Sequence, residues 1–344
     1  MVESSNVSTH ALTKFAIALL QAAGMNPSSA EQVAEALVWA DSRGTDSHGV
    51  SRIPMYLSLL ESGQMHGAAT VQRRLSLPAL TVLDANRCPG AVAMSAAAYE
   101  AMSSAREQGL GMCLVSETTH TGALGYFTER IAHGGMIGIA GAASGPHMAY
   151  FGAALAGVST SPLSIAAPGA DPIVFDMASG AVALGKLMRA KALGEPIPSG
   201  WAIDDQGRPT TDPADAKVPL PLGGPKGSGL ALMMEMLTSL LVGNPILAPS
   251  LELPAARRRH YQNAFVIAID VEAVIDKDGY IDEAAALSNA IKTLRPQEGQ
   301  EVLLPGERGH RQREESLRSG VRLAPHVAAE LGRLARKFSV STPW

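Results

Sequence analysis

The chain has 344 residues, 46% of them hydrophobic and 17% charged, with a formal net charge of -4. That balance reads as a soluble globular protein with a sizeable core and no basic field for nucleic acid, so small molecules or further copies of itself are the expected partners. Cys88 and Cys113, the two cysteines, argue against a disulfide framework or a structural zinc and fit a reducing, cytoplasmic setting.

The polar start, Met1 to Thr9, lacks the basic region and apolar run of a signal peptide. Two helices are expected next. Thr9 is placed to cap the first, which runs toward Ala23 and stops at Gly24; Ser28 and Glu31 form a capping-box pair for the second, which runs to Arg43 and ends at Gly44. The heptapeptide Asp46-Ser47-His48-Gly49-Val50-Ser51-Arg52 follows, then an apolar pattern through Tyr56, Leu57, Leu59 and Leu60 that halts at Gly63. Pro54 is tolerated there if it falls in a first helical turn.

From Leu75 the pattern changes to short apolar runs alternating with helices. Strands are expected at Leu80 to Asp84, Met112 to Ser116, Ile137 to Ala140, Leu163 to Ala166, Ile173 to Asp176 and Phe265 to Val271, and helices at Gly90 to Gln108 and from about Gly122 to His133. This is the rhythm of an α/β fold with a sheet flanked by helices. Gly185 to Ala216, with four prolines, reads as a long ordered loop after one short helix. Lys226 to Val242 reads as a buried helix, its apolar run too short to cross a bilayer, and Asp282 to Leu294, Glu307 to Arg318 and His326 to Lys337 as closing helices. The resulting division is a helical substrate and dimer region at 1–75, a mixed-sheet cofactor domain at 76–281, and C-terminal helices at 282–344 that pack back on the N-terminal region.

Chemistry concentrates in the heptapeptide. If the chain is helical from His48 onward, His48 and Arg52 stand at i and i+4 on one face, about 5 to 6 Å apart at Cβ. Histidine exchanges a proton near neutrality and arginine grips a carboxylate, so the pair suggests acid/base work beside a bound carboxylate. His120 sits just past a strand end, where open sheets hold ligands. Asp176 also ends a strand, where it could orient an imidazole or cap a turn. No Gly-x-Gly-x-x-Gly occurs. In Gly223 to Gly229, free amides at a helix start together with Lys226 could bind a phosphate, or the stretch is a tight helix entry with a solvated lysine. His133 and His147 read as ordinary, Arg257 to Arg259 as a solvated loop and Cys113 as core, and no metal-ligand spacing is present.

Several segments taken in order resemble one family: Arg43-Gly44-Thr45-Asp46-Ser47-His48-Gly49-Val50 with Arg52 and Pro54; Thr119-His120-Thr121-Gly122-Ala123; Ser161-Pro162-Leu163; Phe175-Asp176-Met177-Ala178-Ser179; Gly185-Lys186; Gly223-Gly224-Pro225-Lys226-Gly227; and Leu304-Pro305-Gly306-Glu307-Arg308. The set is similar to the non-Rossmann malate/L-lactate dehydrogenase family, whose members include sulfolactate, ureidoglycolate and diketogulonate oxidoreductases and reductases of piperideine-2-carboxylate.

The resemblance implies a mixed sheet that binds NAD or NADP without a Rossmann fingerprint, and a homodimer. It implies hydride transfer to C2 of a small 2-oxo carboxylic acid. His48 would be the proton donor, Ser47 and Asp176 its partners, and Arg52 the carboxylate anchor, with His120 beside the substrate. His120, Thr121, Gly122, Ala123, Leu124, Thr160, Met177, Ala178, Ser179, Pro225, Lys226, Gly306, Glu307 and Arg308 would line the cofactor. With neutral His48 as the base, oxidation is expected to gain with rising pH. The chain departs from the family at Ser161, where asparagine is common, and at Gly180. A cyclic imino acid as hydride acceptor and a non-catalytic binder of a carboxylate or nucleotide are the rival readings.

Overall fold

The computed structural model describes residues 6–254 and 257–344, so the first five residues of the polar start lie outside it. Helices α1 (Thr9–Ala22) and α2 (Pro27–Ser42) open the chain. Ser8 caps the first, its side chain accepting from Ala11 N. Asn26 caps the second, accepting from Ser29 N, with Pro27 in the first turn, so the caps lie one and two residues before the expected Thr9 and Ser28. Helix α3 (Ile53–Glu61) carries Pro54 in its first turn.

The central sheet has seven strands: β1 (Gln72–Leu77), β2 (Leu80–Asp84), β3 (Leu110–Thr118), β4 (Met136–Ala143), β5 (Leu163–Ala167), β6 (Ile173–Met177) and β7 (Gln262–Asp270). Their order is β1-β2-β3-β7-β4-β5-β6. The β2/β3 pair is parallel and the other neighbours are antiparallel, so the sheet is mixed. β7, far along the chain, is inserted between β3 and β4 and ties the sheet together.

Helix α4 (Gly90–Gln108) packs on one face of the sheet through Ala93, Ala97, Ala101 and Ala105, all buried. These small side chains let the helix lie close to the strands. Helix α5 (Gly125–His133) covers the neighbouring strands on the same side, with Phe127 and Ile131 buried. One core runs from α1 and α2 through α4 and α5 and takes in Leu331, Leu334 and Ala335 near the C-terminus, across the expected boundary at residue 75. Asn6–Val7 also pairs antiparallel with Val321–Arg322, joining the two chain ends.

Residues 184–221 hold the expected short helix, α6 (Leu184–Leu193), and, where the loop was expected, a three-stranded ribbon of two-residue strands at Ala202–Ile203, Pro209–Thr210 and Val218–Pro219. Helix α7 (Pro225–Glu235) lies on the opposite face of the sheet and continues into a π turn, Met236–Leu240. It is not a buried helix: Met233, Met236, Leu237, Leu240 and Leu241 are exposed. Short helix α8 (Leu247–Glu252) follows, and α9 (Lys277–Lys292), α10 (Glu307–Ser319) and α11 (Pro325–Lys337) close the chain. Among the described residues no helix is long and apolar enough to cross a membrane.

Candidate active site

The heptapeptide forms two single 3-10 turns, Asp46–His48 and Val50–Arg52, hinged at an extended Gly49, where a helix from His48 was expected. The break comes from Asp41, buried at the end of α2, whose Oδ2 accepts from Val50 N at 2.8 Å. His48 and Arg52 therefore do not meet through helical spacing. Ser47 joins them: its Oγ lies 3.0 Å from His48 Nδ1, and its carbonyl accepts from Arg52 Nε. Gly185 of α6 packs on the same serine, where an added Cβ would come within 2.7 Å of Ser47 Cβ.

His120 lies over His48 with ring centroids 5.5 Å apart and planes within 18°. Tyr56, four residues beyond Arg52 on α3, places its hydroxyl 2.9 Å from His120 Nδ1. Both imidazoles thus have Nδ1 engaged by a hydroxyl, which leaves Nε2 as the nitrogen available to a ligand. His48, Tyr56, His120, Thr121 and Gly122 line one small cleft together with Leu37. Burial, then the charge of Arg52, holds His48 down at about 4. Burial first, then His48 and Arg52, holds His120 well below its ordinary value. In both rings these causes favour the neutral form over the protonated one.

Asp176 is not brought to His48. Its Oδ2 accepts from Gly125 N at 2.8 Å, so it caps the start of α5 and fixes the turn that carries His120 to Leu124. Thr160, the Met177 to Ser179 turn and the stretch before Pro225 gather at the end of the sheet where His120 lies, whereas the Gly306 turn lies nearer the start of β6. Thr160 O accepts from both the N and the Oγ of Ser179, each at 2.8 Å. Met177 pairs with Leu163, with Ala178 next in the turn, and Leu222 N donates to Ser179 O at 2.9 Å. The turn at Gly306 lies against Val174 of β6.

Of the two readings of Gly223 to Gly229, the contacts fit the tight helix entry: Lys226 N, Gly227 N and Ser228 N donate to Gly223, Leu222 and Gly224 carbonyls. Pro225 has no N–H to offer. The side chains of Lys226 and Arg308 are exposed. Glu307 is a brace, bonded to Lys292, Arg311 and Leu304 N. Ser161 is buried and adopts a positive φ of 24°, a backbone conformation that asparagine tolerates well.

Sequence reasoning missed Asp41 and the bonding of Tyr56. It also missed the buried Arg43–Glu129 pair, where Arg43 NH1 meets Glu129 Oε1 at 2.9 Å and Arg43 NH2 donates to Gly306 O at 3.3 Å. The i+4 step from Arg52 to Tyr56 was a usable signal. None existed for Asp41 or Glu129, whose partners are far away in sequence or chemically plain.

A family model described as malate/L-lactate dehydrogenase matches residues 7–332. The chain belongs to that family. It is an oxidoreductase of the dehydrogenase type. It is 36% identical over 329 residues to a (2R)-3-sulfolactate dehydrogenase (NADP(+)) of Chromohalobacter salexigens, covering 91% of this chain and 94% of the relative. It is also 36% identical over 225 residues to a ureidoglycolate dehydrogenase (NAD(+)) of Escherichia coli, covering 65% and 64%. The solved structure of a delta1-piperideine-2-carboxylate reductase from Pseudomonas syringae superposes with a TM-score of 0.85 at 29% identity, covering 96% of this chain and 100% of that one.

Proposed function

We propose that the cleft carries out reversible hydride transfer at C2 of a small 2-oxo/2-hydroxy carboxylic acid, with His48 as proton donor in reduction and acceptor in oxidation. One observation carries this reading: Ser47 holds both functional groups, its hydroxyl on His48 Nδ1 and its carbonyl on Arg52 Nε. The proton donor and the guanidinium that would take the substrate carboxylate are thereby fixed relative to each other before anything binds, which lowers the entropic part of the barrier.

When bound, NAD(P)H supplies the hydride. Gly122 has open space at its Cβ position and a φ of +75° at the edge of the cleft, which suits close approach of a flat ring. His120 to Leu124, Thr160, the Met177 to Ser179 turn and the Gly306 turn would hold the cofactor, with Lys226 and Arg308 supplying charge to its phosphates. Pro225 and Glu307 would shape and brace those loops. His120 would sit beside the substrate, its orientation set by Tyr56. As negative charge grows on the carbonyl oxygen, His48 Nε2 gives its proton there while Arg52 keeps the carboxylate in place. Asp176 acts at one remove, by holding the His120 to Leu124 turn.

A homodimer fits the uncovered apolar surface formed by Ile165 and Phe175, which are cross-strand partners, and the outer side of α7. The buried free thiols of Cys88 and Cys113 suit a reducing, cytoplasmic setting.

A second reading keeps the cofactor and Arg52 but makes the acceptor the C=N bond of a cyclic imino acid; the likeness to the piperideine-2-carboxylate reductase favours keeping it. Following NAD(P)H absorbance across 2-oxo acids and cyclic imines separates the two. His48→Ala should lower kcat by about 10²-fold to 10⁴-fold, and Arg52→Ala should raise KM for the acid. Near wild-type turnover in both variants would overturn the assignment.

A further inference from the structure

Residues 182–220 form a unit with a core of its own. Val182, Leu187, Ala190, Ile197 and Ala202 pack together with Trp201 and Ala216, apart from the main core. The short strands of the ribbon pair with one another. Among the described residues the unit's only hydrogen-bonded link to the rest is a neck of two chain segments lying side by side. There Ala181 N donates to Leu220 O at 2.8 Å, and Leu222 N to Ser179 O at 2.9 Å. A unit that has its own core and so few bonds to its support opens at much lower cost than the main sheet.

The unit reaches the site through α6. Gly185 lies against Ser47, with room for no side chain: its Cβ would stand 2.7 Å from Ser47 Cβ. Met188 and Arg189, three and four residues on, share that face of the helix, and Met188 is 63% exposed. The charge of Arg189 acts on Asp46, the neighbour of Ser47, although no ion pair joins the two. α6 therefore touches the catalytic turn at a glycine while the larger side chains around that contact stay uncovered. The other end of the neck bears on the cofactor side, because Ser179, where it begins, is tied by its N and Oγ to Thr160 O.

We propose that residues 182–220 are a lid that swings about the 179–182 and 220–222 segments and closes on the catalytic turn when the cofactor binds, with Gly185 as the positioning residue that seats Ser47. Closure carries Met188 over the heptapeptide and Arg189 onto Asp46, which covers apolar surface and keeps water from the proton donor. Ser47 holds both His48 and Arg52, so the position of the lid reaches both groups. The inference rests on the site proposed above and adds the movement that completes it.

The test follows the lid directly. Nitroxide labels at Glu31→Cys on α2 and Lys191→Cys on α6, both exposed positions, report the distance between body and lid by pulsed EPR; the native cysteines are buried. The full-length protein is measured alone, with NADH or NADPH, and with cofactor plus oxamate, an unreactive analogue of a 2-oxo acid. A broad distribution that narrows to one distance with cofactor and oxamate is expected. Gly185→Ala should stay broad under the same conditions and lose about tenfold to a hundredfold in kcat/KM. The surface substitution Arg189→Glu, which sets like charges against each other at Asp46, should also stay broad, and it serves if Gly185→Ala folds poorly. One narrow distance in the wild type under every condition overturns the lid, as do Gly185→Ala and Arg189→Glu variants that narrow and turn over like the wild type. The distances need no turnover, so narrowing in a protein that reduces no 2-oxo acid upholds the lid and sinks the reaction, whereas hydride transfer beneath an immobile α6 sinks the lid alone.

Discussion

The backbone of Gly49 lies directly against the carboxyl group of Asp41: an added Cβ would come within 1.7 Å of Oδ1 and 2.1 Å of Cγ. The neighbouring Val50 N donates to the other carboxyl oxygen at 2.8 Å. This contact sets the bend between Ser47-His48 and Arg52. Gly49→Ala should therefore displace one half of the site from the other and lower kcat/KM by about a hundredfold, as misplacements of an ångström do. In an Asp41→Gly background the same alanine has room, so the double variant should lose less than the product of the two single losses. Steady-state kinetics on the four proteins decides it, and simple multiplicativity would count against the contact as the cause.

Burial and Arg52 hold His48 at about 4, well under the ordinary 6.5. A base with that value is already deprotonated at pH 6, so kcat/KM for oxidation should be flat from about pH 6 upward, where the sequence alone suggested a rise. In reduction the protonated form is required, and its fraction falls about tenfold per pH unit above the pKa. Log kcat/KM for reduction should thus decline with a slope near -1 between about pH 5 and pH 7. A break near neutrality in the oxidation profile would show that a different group carries the proton.

Glu129 joins three parts of the molecule. Its carboxylate meets Arg43 at 2.9 Å and Trp39 Nε1 at 2.6 Å, and the Arg43 and Glu129 side chains are only 5% and 4% exposed. Arg43 in turn holds Gly306 O. Glu129→Ala leaves a buried guanidinium without its partner, which should cost about 3 to 5 kcal/mol in urea unfolding. Because the Gly306 turn is loosened with it, KM for NAD(P) should rise more than KM for the acid. Equal rises in both would separate Glu129 from the cofactor side of the site.

Met236 and Leu240 are 43% and 51% exposed on the outer side of the helix that follows Gly224. Apolar surface of that kind gains by being covered. In sedimentation at micromolar concentration the wild type should run as a dimer, and the double substitution Met236→Glu with Leu240→Glu should shift it to a monomer while leaving the core intact. A monomeric wild type would refute the dimer.

Much of this protein is readable in its sequence. Alternation and periodicity located all but one of the main-sheet strands and placed Gly90–Gln108 correctly to the residue, because apolar spacing and a glycine stop are local signals. Ser47, His48 and Arg52 were visible as a chemical group for the same reason, being neighbours in the chain. The tertiary structure decided how they meet. Helical spacing put His48 and Arg52 on one face, but the buried carboxyl of Asp41 captures Val50 N and breaks that helix, so Ser47 makes the connection. The apolar run after Lys226 looked buried because hydropathy reports a need to be covered without saying by what. Asp176 was recognisable as a strand-end carboxylate, and only the fold determined that Gly125, not His48, is its partner. Secondary structure follows from interactions a few residues apart, whereas the pairing of His120 with His48 and of Glu129 with Arg43 depends on which distant segments the mixed sheet brings together.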